Sequence, residues 1–192
     1  MINRIRVAAH DKKTINGELL LFFYEFQQLF MKSTQHKPLI LDKKTALLKA
    51  ESWCAYQERS QQEVRNKLYE WNLFPTEVEE VISDLITTNF LNEERFAKAY
   101  VSGKFNIKKW GKLKIKQGLK LKKIPDKLIQ KALNGIEMDE YLGVLLATAE
   151  KKTVIIPEKN ALKKKYKLIN YLQSKGFEND LIFDVLKSNN LP

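Results

Sequence analysis

Three stretches of this chain carry the same six apolar positions at the same offsets. Val64, Leu68, Leu73, Val78, Val81 and Ile82 align without a gap to Ile115, Leu119, Ile124, Ile129, Ala132 and Leu133. They align again to Leu168, Leu172, Phe177, Ile182, Val185 and Leu186, at separations of 51 and then 53 residues. A unit of this size holds three short helices, and such units stack because none can bury its apolar face alone. Two amphipathic helix pairs can align by chance; six matched positions in three copies favour a repeat.

Apolar residues recur at helical spacing far more often than they alternate, and glycine and proline number only 7 and 5. The expected fold is therefore all-α, without strands. Helices are predicted near 18–32, 43–57, 60–71, 76–88, 92–104, 111–122, 126–133, 137–151, 158–174 and 179–188. Start signals support them. "SQQE" from Ser60 and "TEVE" from Thr76 fit the capping box, in which the hydroxyl accepts a free backbone N–H and the acid reaches back to another. Asn92 followed by Glu93 and Glu94 puts a cap and two negative charges at the positive end of a helix dipole. Asp126 and Asn179 are further cap candidates. The expected division is an extension over 1–42 and repeats over 43–91, 92–136 and 137–192.

Charge is divided unequally along this array. Residues 1–103 hold 14 Lys/Arg and 14 Asp/Glu, whereas residues 104–192 hold 20 and 9, so the whole net charge of +11 lies in the second part. Such a balance attracts polyanions or an acidic protein face. Nine lysines and no acid lie between Lys104 and Lys123. On a helix from about 111, Lys112, Lys116 and Lys120 advance four residues at a time, with Lys109 and Lys123 close to the same line and Lys108 just before it. Leu113, Ile115 and Leu119 are expected to point elsewhere. A solvated helix face is the plain alternative, but like charges four apart repel, and no acid relieves them. A binding face is preferred. Lys163, Lys164, Lys165 and Lys167 form a second cluster at the equivalent place in the third repeat, and repeats stacked in register would merge the two into one basic track. Lysines of this kind contact phosphate, giving salt-dependent and sequence-indifferent affinity. Trp110, Tyr166 and Tyr171, within or beside the clusters, are assigned to the core rather than to base stacking.

The sequence offers little for catalysis. Gly103-Lys104 lacks the upstream glycine and following Ser/Thr of a phosphate loop. His10 and His36 are far apart, so no metal or acid–base constellation forms around them. Cys54, the single cysteine, cannot bridge within the chain and reads as a small buried hydrophobe. Neither an enzyme nor a bound cofactor or metal is expected. "ELLLFFYEFQQLF", residues 18–30, falls short of the roughly 20 apolar residues of a membrane span. It is not expected to span; it reads equally as an amphipathic docking helix or as part of a stretch ahead of the genuine start, since "MKSTQHKPL" from Met31 offers a second start. Without a secretory leader the expected setting is the cytoplasm.

"AYQERSQQEVRNKL" over 55–68 and "NFLNEERFAKAYVSGKFNIKKWGKLKIKQGLK" over 89–120 resemble the RecX family, bacterial regulators of the RecA recombinase. The pattern comprises Arg59 and Ser60 leading into Glu63, then Leu68, then Leu91, Asn92, Glu93, Arg95, Phe96 and Ala97, and finally Gly111 before a basic helix. It covers about residues 43–190. Glu93 and Glu94 stand where the family usually carries two aspartates, and "GVLLATAEKKTVIIPEKN" reads as a loose, less conventional stretch. The resemblance implies an elongated, curved array of tandem three-helix repeats. It also implies binding to the RecA filament on single-stranded DNA, bridging of neighbouring subunits, and damping of ATP hydrolysis and strand exchange. The candidate contacts are Lys108, Lys109, Lys112, Lys116, Lys120, Lys123, Lys163, Lys164, Lys165, Lys167 and Arg95, the last with a structural pair to Glu94 or Asp84 as its alternative. The expected partners are RecA and, weakly and without sequence preference, single-stranded DNA; a monomer is expected. An independent basic nucleic-acid-binding helical module is the competing reading, and a scaffold for an unrelated acidic protein is a third.

Overall fold

The structure, a computed structural model, describes residues 41–192. The predicted helix over 18–32, the second start at Met31 and both histidines lie outside these residues. The described residues form nine helices and no strand: α1 Lys43–Tyr56, α2 Gln61–Glu70, α3 Pro75–Thr87, α4 Glu93–Asn106, α5 Lys112–Leu121, α6 Asp126–Leu133, α7 Met138–Ile155, α8 Ala161–Lys175 and α9 Asn179–Ser188. They fall into three successive three-helix units, in each of which the first helix packs on the third.

All eighteen residues of the aligned apolar positions are buried. Their spacing has a backbone cause at the corner between the second and third helix of each unit. Asn72, Lys123 and Gly176, equivalent in the repeat, all have left-handed backbone, at φ 61°, 57° and 90°. The next residue, Leu73, Ile124 or Phe177, sends its N–H back to the carbonyl of Leu68, Leu119 or Leu172 at 3.2–3.3 Å. This is the Schellman closure, which satisfies orphan carbonyls and buries the apolar residue beyond the turn. The first helices carry a second pattern: Ala46, Ala50 and Cys54; Ala97, Val101 and Phe105; Tyr141, Leu145 and Ala149, all buried at four-residue spacing. Cys54 is thus a core residue, and burial pushes its thiol up to about 11.

Several local expectations need correction. The third helix begins at Pro75, not Thr76. The Glu77 carboxylate accepts the Phe74 N–H at 3.0 Å, and Glu79 instead receives both Arg65 guanidinium bonds, at 2.7 and 2.9 Å. Asp126 and Asn179 sit inside the first turn, with Pro125 and Glu178 at the cap positions. The stretch from Gly143 that reads as loose in sequence is largely helix, since α7 runs on to Ile155. By contrast, Ser60 and Glu63 form the reciprocal box, and Asn92 accepts from the Arg95 N–H at 3.0 Å.

The three units are not joined alike. One continuous apolar core spans the second and third units, while the first has a separate core of its own. Between the second and third, the start of α5 sits on the end of α8: the Gly111 N–H donates to Lys175 O at 2.9 Å and the Leu113 N–H to Gly176 O at 3.1 Å. Unpaired donors of one helix end thereby meet unpaired acceptors of the other, positive dipole end against negative. The Tyr141 hydroxyl accepts the Lys112 N–H at 2.9 Å and donates to Glu178 at 2.5 Å. Between the first and second units the visible links are made by side chains, Lys122 to Glu63 at 2.7 Å, Arg95 to Glu58 at 2.5 Å, and Arg95 to the Asn89 and Phe90 carbonyls.

Candidate polyanion-binding surface

The lysines of α5 divide by what holds them. Lys112 lies with its ammonium 4.8 Å from the Tyr141 ring. Lys114 lies 4.8 Å from the Trp110 ring and donates to Ser174 O, a last-turn carbonyl of α8, at 2.8 Å. Cations at the start of a helix oppose its own dipole, but Lys114 meets the negative end of α8 and Lys112 a ring face, which accounts for them. Lys112 and Lys114 are therefore tied to the junction. Lys120 pairs with Asp126 at 3.3 Å across an exposed surface, an arrangement worth little energetically. Among the described residues, Lys108, Lys109, Lys116 and Lys123 have no carboxylate within 4 Å and remain available cations.

Two of these four occupy costly backbone. Lys109 has φ 53° and Lys123 φ 57°, whereas the other non-glycine residues at positive φ are asparagines, which tolerate the left-handed region far better. Packing does not explain the choice, since both lysine side chains are exposed.

The second cluster sits in the first turns of α8. Lys163, Lys164 and Lys165 have no partner among the described residues, and Lys167 pairs with Glu158 at 2.9 Å. Repeat register modifies the expected track. Lys112, Lys116 and Lys120 correspond to Lys165, Ile169 and Gln173, so the lysine stripe of α5 is not reproduced along α8, where Ile169 is buried. Leu113, off the lysine stripe, is 54% exposed; Tyr166, at the equivalent position and assigned to the core, is 60% exposed instead. Trp110 and Tyr171 do pack against the core, partly buried.

Arg95 is structural in its contacts, but not with the partners expected. Its guanidinium bonds Glu58, Asn89 O and Phe90 O, tying the turn after α3 to the link before α2. Glu94 instead bonds Lys98 and Lys131, whose ammonium groups hold its carboxyl down at about 2. Sequence spacing pointed to acids near Arg95 in the chain and missed Glu58, 37 residues away.

Beside these ion pairs lies a groove of about 580 Å³ between the first two units, lined in part by Glu58, Glu63, Tyr100, Lys104, Lys108 and Lys122. Burial alone would raise the Glu63 carboxyl. Bonds from Lys122 and the Ser60 N–H outweigh it and bring the group below its ordinary value. No helix among the described residues is long and apolar enough to cross a membrane.

Comparison with known proteins gives a consistent result. Residues 46–85, 92–133 and 139–186 match, in that order, the first, second and third three-helix domains of RecX. The chain is similar to the regulatory protein RecX of Bacillus mycoides, at 27% identity over 95% of this chain and 74% of that one. It is also similar to that of Prosthecochloris aestuarii, at 28% identity over 76% of this chain and 93% of that one. Among solved structures, RecX from Lactobacillus salivarius superposes with a TM-score of 0.68 at 25% identity, covering 76% of this chain and 95% of its own.

Proposed function

The chain belongs to the RecX family, and on that premise we propose that it binds the RecA filament on single-stranded DNA and lowers its ATP hydrolysis and strand exchange. The observation that carries the reading is the set of uncompensated lysines on and around α5, Lys108, Lys109, Lys116 and Lys123, beside the weakly engaged Lys120. Such a surface suits filament acids or DNA phosphates. The action is docking, not chemistry, and its setting is the cytoplasm. An array of three repeats supplies reach across a subunit boundary. A ligand held there shifts subunit orientation only by its differential affinity for the two arrangements; a tenfold effect needs about 1.4 kcal/mol of difference. The chain acts as a monomer. Adding it to RecA from the same organism on single-stranded DNA is expected to depress steady-state ATP hydrolysis with rising concentration. No change in turnover would defeat the proposal.

The competing reading, an independent nucleic-acid module, is less well supported because α5 presents lysine, which reads phosphate, rather than Arg, Asn or Gln for base edges. Sequence preference among duplexes in the absence of RecA would favour it.

A further inference from the structure

We propose that Tyr166, with Leu162 one turn before it and Lys163 and Lys165 beside it, is a stacking platform for an unpaired base of a single-stranded nucleic acid. The proposal rests on the functional reading only in taking single-stranded DNA as a partner. It adds a place where a base, not only phosphate, is held.

The position of Tyr166 is Gln62 in the first unit and Leu113, more than half exposed, in the second. No copy uses this position for its core, so packing does not call for an aromatic here. Leu162 and Tyr166 are 61% and 60% exposed. Four residues apart on α8, they share one strip of surface.

Lys163 and Lys165 are exposed and without partners among the described residues, and the α8 cap and first turn contain no acid. Lys114 of α5 donates to a last-turn carbonyl of another helix; no backbone bond joins the start of α8 to another helix, and the carboxylate beside it, Glu158, is taken up by Lys167 and the Asn160 N–H, which leaves Lys163 and Lys165 without compensation. An outside anion would supply it. A flat ring flanked by cations is the arrangement that holds single strands: phosphates lie on lysine while a base lies on the ring, tolerant of sequence because every base has a π-face. A duplex, with its bases stacked on one another, offers no such face.

An anionic bilayer is less well matched. Helices that lie in a membrane surface turn a broad apolar face outward, whereas Leu168, Ile169 and Leu172 of α8 are buried. Val154 and Ile155 at the end of α7 are also exposed aliphatics, so vesicles belong in the test.

The experiment is fluorescence anisotropy of the full chain, without RecA, against a labelled oligothymidine and an abasic strand of the same length. Circular dichroism melts verify each variant. Tyr166→Ala is expected to weaken oligothymidine binding by about tenfold, to leave abasic binding unchanged, and to be rescued by Tyr166→Phe. Lys163→Ala with Lys165→Ala is expected to weaken both strands and to flatten the log–log salt slope by about 1.4. Equal weakening of both strands by Tyr166→Ala, or no effect on either, overturns the platform. So does Tyr166-dependent sedimentation with phosphatidylglycerol vesicles in the absence of a thymidine effect. Because no recombinase is present, these outcomes leave the ATPase result to be decided separately.

Discussion

Gly111 and Gly176 stand backbone against backbone: a β-carbon on Gly111 would lie 2.1 Å from the Gly176 carbonyl oxygen, and one on Gly176 2.3 Å from Cβ of Lys114. No side-chain rotation relieves a clash with backbone, so Gly111→Ala must part α5 from α8. The expected loss of stability is about 1–3 kcal/mol, typical of overpacking, read as a lowered thermal midpoint. Gly143→Ala is the control, since its β-carbon meets nothing within 4 Å and alanine is the better helix former. Equal midpoints for the two variants would contradict the junction as described.

Tyr141 joins the same junction from the other side. It is fully buried, bonded to Lys112 and Glu178, and in ring contact with Phe105 and Phe177. Tyr141→Phe keeps the rings but leaves the Lys112 N–H and the Glu178 carboxylate without their partner. A cost of about 1–3 kcal/mol is expected, with hydrogen exchange accelerated at Lys112. Unchanged protection there would remove the hydroxyl from the account.

Periodicity made the repeat legible because helix–helix burial follows spacing within a short window, and each aligned apolar position proved to be core. The junctions were not legible in the same way. Gly111 and Gly176, or Arg95 and Glu58, meet across distances in sequence that no local pattern reports. The exposure of Tyr166 is not legible either, because a helical wheel says which residues share a side, not whether a neighbour covers it. α7 runs past residue 151 through "KKTVI", where Val154 and Ile155 are exposed and the Lys152 ammonium lies 4.7 Å from the Tyr171 ring of α8, a contact that no local pattern reports.

Lys123 tests whether a binding surface is retained against stability. In the equivalent corner of the third unit the left-handed residue is Gly176, so Lys123→Gly relieves backbone strain. It is expected to raise stability by about 1 kcal/mol in denaturant titration while weakening polyanion binding. A stabilised variant with undiminished affinity for single-stranded DNA would take Lys123 out of the surface.

Acid should loosen the ion-paired links. Both Glu63 and Glu94 have folded values below the ordinary 4.5, Glu94 at about 2. Their contribution is therefore complete above pH 4.5 and is lost as pH falls through the lowered values. Glu93 works the other way, because burial raises its carboxyl. Glu94→Gln is expected to flatten the fall in thermal midpoint between about pH 4.5 and 2, the interval set by linkage. An unaltered acid limb would show that the Lys98 and Lys131 pairs do not contribute.

The most direct test of the account is the DNA-dependent ATPase of RecA in the presence of the chain carrying Lys108→Glu, Lys116→Glu and Lys120→Glu. These side chains do not hold the α5–α8 junction, so the melting curve should be preserved. Loss of inhibition by this folded variant, with inhibition retained when Lys112 and Lys114 are each replaced by Met, is the predicted result. Inhibition by the triple variant equal to that of the unaltered chain would contradict the claim that the open lysine surface of α5 is what meets the filament.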